Sequence, residues 1–132
     1  MTDQGQLPIQ HIGKYRLLQE IGRGGMGIVY LGFDEYNNRE VAIKIASVAG
    51  ITDEQYLQKF QKMFFNEVRV AGMLKHPNIL TVFDAGVEEP YYYIVMEYVQ
   101  KSRTLKDFCK AGSLLPVEQV VETIFKCCKA LD

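Results

Sequence analysis

Residues 21–30 read Ile21, Gly22, Arg23, Gly24, Gly25, Met26, Gly27, Ile28, Val29, Tyr30, and residues 41–44 read Val41, Ala42, Ile43, Lys44. The first stretch sets bare backbone at a tight bend and returns at once to strand-forming residues. Glycine lets a ligand approach the chain because it has no Cβ, and it reaches positive φ at little cost. Several free N–H groups can then face one anion. The residues after the glycines separate the possible phosphate sites. A dinucleotide-binding turn must open a helix, whereas Ile28, Val29, Tyr30 and Leu31 favour a strand. A Walker A loop requires Gly-Lys and then Ser or Thr, and here Ile28 comes directly after Gly27. The remaining arrangement is a strand, a glycine loop and a second strand covering a phosphate chain, with a lysine delivered from the next strand. Lys44 supplies it, and strand alternation puts Ala42 on the same face. A small residue beside a cation suits a flat ring joined to phosphates.

Outward from this stretch, the pattern predicts strands over Tyr15 to Ile21, Ile28 to Phe33 and Glu40 to Ala46, the last two joined through turn residues 34–38. Thr52 with Gln55 three residues later reads as a capping box. The helix it opens is expected to run to about Lys75, before Pro77. Its apolar stripe is Leu57, Phe60, Phe64, Ala71 and Leu74, and the position that completes the spacing is Glu67. A carboxylate in the centre of a core-facing stripe is costly unless a base meets it, and Lys44 is the upstream candidate. The plainer alternative places Glu67 at the stripe's edge, in solvent.

His76, Pro77 and Asn78 form the turn out of the helix, with His76 read as a turn residue bonded locally. Ile79 to Phe83 and Tyr91 to Val99 are read as the fourth and fifth strands, Tyr91, Tyr92 and Tyr93 being packing residues. Thr104 to Lys110 reads as a short helix. A last helix, from about Pro116, carries Val117, Val120, Val121, Ile124, Phe125, Cys128 and Leu131 on one face. It has no Gly, Asn or Pro stop signal before Asp132, so it is expected to continue.

Composition narrows the function classes. A net charge of −1 argues against a broad electrostatic footprint for nucleic acid or membrane. No apolar run approaches the length of a bilayer span, and Met1 to Gln10 lacks the apolar core of a secretion signal. Cys109, Cys127 and Cys128 have neither disulfide-framework nor metal-site spacing. The expectation is one packed and one exposed thiol at Cys127 and Cys128, no metal site, and a reduced, cytoplasmic setting. His11 and His76 have no clustered Cys or His partners, which disfavours a zinc site.

Taken in order, the glycine loop, the Val-Ala-Ile-Lys strand, Glu67, the His-Pro-Asn turn and Val95, Met96, Glu97, Tyr98, Val99 resemble the amino-terminal half of a eukaryotic-type protein kinase. The Gly-Gly-Met-Gly-x-Val-Tyr form looks most like the bacterial serine/threonine kinases. The resemblance implies an α+β fold: a leader at 1–14, a first lobe at 15–99 with a five-stranded antiparallel sheet, a long helix and the hinge, and the start of a second lobe at 100–132. It implies ATP-dependent phosphoryl transfer to Ser/Thr hydroxyls of a protein substrate, with Mg²⁺ held by residues of an Asp-Phe-Gly segment that these residues do not contain. By the same resemblance, Gly22, Gly24, Gly25 and Gly27 cover the phosphates, and Ile21, Val29 and Ala42 sandwich the adenine. Lys44 contacts the phosphates and is held by Glu67. Met96 matches the residue at the back of the pocket, and Glu97, Tyr98 and Val99 match the hinge.

Lys44 and Glu67 are separated by a few more residues than is usual in the family, which places the extra length between Ser47 and Asp53. The family's His-Arg-Asp catalytic loop is not among these residues either, and the pairs in Asp107, Phe108 and in Phe83, Asp84 do not substitute for Asp-Phe-Gly. The expectation is a chain that transfers no phosphate by itself and self-associates through its last helix. The rival readings are a pseudokinase or nucleotide-binding scaffold, and a free-standing interaction module.

Overall fold

The computed structural model describes residues 9–24, 27–100 and 105–132. These fall into two compact units: one holds the described residues up to Leu74 together with Thr81–Tyr98, the other Lys75–Leu80 with Val99–Asp132.

The first unit is an antiparallel sheet of six strands with one long helix. The strands are β1 (His11–Ile12), β2 (Tyr15–Gly24), β3 (Gly27–Asp34), β4 (Arg39–Ser47), β5 (Val82–Glu88) and β6 (Tyr91–Glu97), and helix α1 spans Glu54–Met73. Their order across the sheet is β1-β2-β3-β4-β6-β5. That is one strand more than the sequence pattern predicts, because β1 lies within 1–14 and is too short to show a period. Its Ile12 is wholly buried.

Alternation sorts the strands' side chains into two layers. Tyr15, Leu17, Tyr30, Val41, Ile43, Ile45 and Val95 join Ile12 in a core on one face. On the other, Tyr92 and Ile94 pack with Phe64 of α1, flanked by Val48, Phe60, Val68, Val82, Ala85 and Met96. Tyr92 is the pivot: it meets the rings of Phe60 and Phe64 edge-on at 5.1 and 5.2 Å and its hydroxyl accepts from Gln61 Nε2 at 2.7 Å. The tyrosine run at 91–93 is therefore packing, as its sequence suggests.

Local chemistry sets the connections. Asp34, 1% exposed, accepts from the N–H groups of Tyr36 and Asn37 and from Asn37 Nδ2, and so shapes the β3–β4 turn. Helix α1 is capped by Asp53, whose carboxylate accepts from Gln55 N at 3.0 Å and Tyr56 N at 3.3 Å. The cap is one residue beyond the expected Thr52, since aspartate there reaches both free N–H groups. The strand expected at Ile79 to Phe83 also starts later. Ile79 N donates to His76 O, extending the turn, and pairing with β6 begins at Val82. A bulge at Phe83 then brings Val82 and Ala85 to the same face.

In the second unit, Asn78 N donates to His76 Nδ1 at 3.0 Å, the local turn role read from the sequence. A short 3₁₀ turn covers Leu105–Phe108 where a short helix was expected, Thr104 lying outside the described residues. Helix α2 spans Val117–Leu131 and has no buried residue. All three cysteines are exposed, so Cys127 and Cys128 do not divide into one packed and one free thiol as expected. The apolar surroundings that would bury one of them are themselves exposed: Val121, Ile124 and Phe125 are each more than half accessible.

Candidate functional site

Pairing across the sheet brings the glycine loop and Lys44 into one row. Gly22 lies opposite Val29, Val29 opposite Lys44, Lys44 opposite Ile94, and Ile94 opposite Ala85. Cross-strand partners share a face, so five strands contribute one residue each to a line with the ammonium at its middle. The neighbouring row is Gln19, Leu31, Ala42, Met96 and Val82. Val29, Ala42, Lys44 and Met96, singled out from the sequence, therefore occupy one face of three adjacent strands. Leu31 belongs with them and was missed, though its spacing of two from Val29 is the signal that would have found it.

The glycine loop's stem is built by two irregularities in β2. Extra residues at Leu18 and Ile21 interrupt its register with β3, and each bulge turns the next side chain to the other face. Ile21, expected against the adenine, is one of these unpaired residues and is 41% exposed. Gly27 closes the loop at φ 130°, with no room for a Cβ against the Ile45 carbonyl. Only glycine fits there. Gly24 pairs with Gly27 across the stem, and Gly25 lies outside the described residues. Arg23 pairs with Ile28 and Glu20 with Tyr30, on the face opposite Lys44. Their bidentate contact, at 2.8 and 3.0 Å, pins the stem without entering the site. That hydrogen bond is the main cause of the lowered pKa of Glu20.

Glu67 does not sit in the core-facing stripe. It is exposed, and the position it was expected to fill is taken by Val68, which packs against the cluster of Phe64, Tyr92 and Ile94. One residue along a helix is a rotation of about 100°, enough to exchange a buried position for a solvent one. Lys44 and Glu67 accordingly form no ion pair. The ion pairs among the described residues involve Arg16, Arg23, Arg39 and Lys126 instead.

The hinge candidates divide between the units. Met96 and Glu97 end β6, and the Glu97 N–H donates to Thr81 O at 2.8 Å, so it is already engaged. Val99 begins the second unit's later segment. A shallow hollow lined by Gln55, Gln58, Lys59, Gln61, Lys62 and Phe65 lies along α1 away from Phe64, and contains none of the candidate residues. Among the described residues no His, Cys, Asp and Glu cluster could hold a metal ion.

Comparison with known proteins places this geometry. The sequence signature of the protein kinase domain matches residues 15–132. The serine/threonine-protein kinase PrkC of Bacillus subtilis is 42% identical over 119 residues, covering 85% of this chain and 18% of its own length. Serine/threonine-protein kinase PknB of Mycobacterium leprae is 34% identical over 123 residues, covering 90% of this chain and 19% of its own. The crystal structure of the Mycobacterium tuberculosis PknI kinase domain superimposes with a TM-score of 0.72 at 29% identity, over 92% of this chain and 48% of that one. The chain thus spans less than a fifth of the two curated relatives and about half of the kinase domain.

Proposed function

The chain belongs to the protein kinase family, and from that premise we propose that the whole protein is an ATP-dependent serine/threonine kinase to which these residues contribute the cover of the nucleotide. The observation that carries the reading is the row Gly22, Val29, Lys44, with Ala42 beside it. The glycines let backbone N–H groups approach phosphate oxygens. Val29 and Ala42 offer an apolar, thin surface to a flat ring. The Lys44 ammonium stands on that face, where it would meet the phosphates. Phosphoryl transfer depends chiefly on positioning and on stabilising charge, and a lysine fixed by strand pairing on both sides is pre-positioned.

We assign Glu67 the role of holding Lys44 when nucleotide is bound. A partly solvated pair of this kind contributes only about 0–1 kcal/mol to stability, so its value is geometric. Mg²⁺ would accompany ATP and neutralise phosphate charge, its protein ligands lying outside the candidate residues. The chain contains neither His-Arg-Asp nor Asp-Phe-Gly, and by itself it is proposed to transfer no phosphoryl group. A nucleotide-binding scaffold is the second reading, favoured by the unpaired Lys44 and Glu67.

Calorimetric titration with Mg-ATP tests the site. The chain should give a heat of binding that Lys44→Met removes. No heat from the original chain, or the same heat from the variant, contradicts the assignment.

A further inference from the structure

The two ends of the sheet are far apart in strand order, yet they are tied together. Strand β1 hangs on β2, and Leu17 N donates to Gln10 O at 2.8 Å. From the turn between them, Gly13 N donates to Glu88 Oε2 at 2.6 Å, and the Tyr15 hydroxyl donates to Asp84 Oδ2 at 2.8 Å. Both acceptors are on β5, at the opposite end of the order. The Tyr93 ring lies in the seam: a Cβ at Gly13 or at Gly86 would collide with its hydroxyl. Ile9 and Ile12 pack into the core beneath. Residues 9–15 therefore form a strap across the curled sheet, held by two hydrogen bonds to carboxylates and by buried apolar surface.

Strand β5 has a second load. Asp84, Gly86 and Glu88 pair with Val95, Tyr93 and Tyr91 on the strap's side. Val82 and Ala85, brought to the other face by the Phe83 bulge, pack in the cluster centred on Phe64 of α1. One short strand at the sheet's edge thus carries the strap on one face and the helix on the other. An edge strand has a ladder of hydrogen bonds on one side only, so its position is set by what grips its faces.

We propose that the strap is a conformational relay: its grip on β5 determines how firmly α1 is held, so that displacing residues 9–15 loosens α1. Because α1 carries Glu67, the relay would reach Lys44; that last step rests on the holding role proposed for Glu67. The chain segment entering β2 then becomes a control point for the helix, with no contact to the nucleotide site.

The test is native-state hydrogen exchange on the chain without nucleotide, comparing it with a Tyr15→Phe, Glu88→Gln double variant. Amides of Tyr30 and Leu31 in β3 and of Val41 to Ile43 in β4 report global opening. Local opening units exchange independently of the global transition. Loss of the Tyr15 hydroxyl's bond, with removal of the charge from the oxygen that accepts from Gly13 N, should speed exchange of the Phe64 to Gly72 amides about tenfold more than that of the β3 and β4 amides. Faster exchange confined to β1, β2 and β5, or a rise in α1 no larger than in β3 and β4, overturns the relay. If the double variant does not fold, Glu88→Gln alone, which keeps the side chain's shape, is read by the same two patterns. A helix that responds to the strap while Mg-ATP gives no heat would refute the nucleotide reading and leave the relay standing; the converse would refute the relay alone.

Discussion

Tyr15 and Asp34 lie opposite each other across β2 and β3, and their pKa values are shifted in opposite directions. Burial first, then the hydrogen bond to Asp84 and the charges of Asp84 and Asp34, push the Tyr15 hydroxyl well above the ordinary phenol range. A raised pKa means that the folded chain keeps the proton longer than the unfolded one. The stabilisation is complete below about pH 10 and is lost as pH rises through the folded value. Asp34 behaves inversely: the hydrogen bond from the Asn37 side chain, with backbone bonds from Asn37 and Tyr36, lowers its pKa. Its contribution is present above about pH 4 and is lost as pH falls through the lowered value. Tyr15→Phe should cost about 1.5–3 kcal/mol near neutrality, the usual worth of a hydrogen bond to a charged group. That deficit should shrink in thermal melts above about pH 10, and parallel curves for the two proteins would contradict it. At this scale the site was partly legible. Lys44 and Ala42 share one face of β4, as the sequence indicates, because the period of a strand is strictly two. Glu67 was placed in the core because a helical stripe with one gap fits two neighbouring positions, and Val68 fills it instead.

Helix α1 shows which contacts hold an element. Phe64 is 8% exposed between Phe60 and Tyr92, whereas its neighbour Phe65 is 52% exposed. Phe64→Ala should therefore cost about 3–5 kcal/mol, transfer and cavity together. Phe65→Ala, which removes only an edge contact with the Phe64 ring at 5.4 Å, should cost about 0.5–1.5 kcal/mol. Equal effects in denaturant titration would mean that the helix packs through a different face. Long periodic elements such as this one could be read from sequence to within two residues at each end. The failures were at irregularities: β1 is only two residues, and the bulge at Phe83 breaks the alternation that marks a strand. The Ile21 bulge likewise gave no sign in a run of residues that reads as a regular strand. Each of these features is a matter of register between paired strands, which the alternation within a single strand does not report.

For the molecule as a whole, α2 leaves Val117, Val121, Ile124 and Phe125 exposed at 78, 61, 57 and 60%. A contiguous apolar stripe of this kind drives association, and a second copy of the chain offers the same stripe. Sedimentation velocity should show a concentration-dependent dimer that Ile124→Glu with Phe125→Glu abolishes; a monomer at all concentrations would rule it out. The nucleotide site proposed above lies, by contrast, on the face that carries Lys44, and amide chemical shifts followed by NMR during titration with Mg-ATP test it residue by residue. The largest changes should fall on Gly22, Gly24 and Gly27 to Val29 and around Ala42 to Lys44. Changes confined to the outer hollow of α1 between Gln55 and Phe65, or none at all, would refute the assignment.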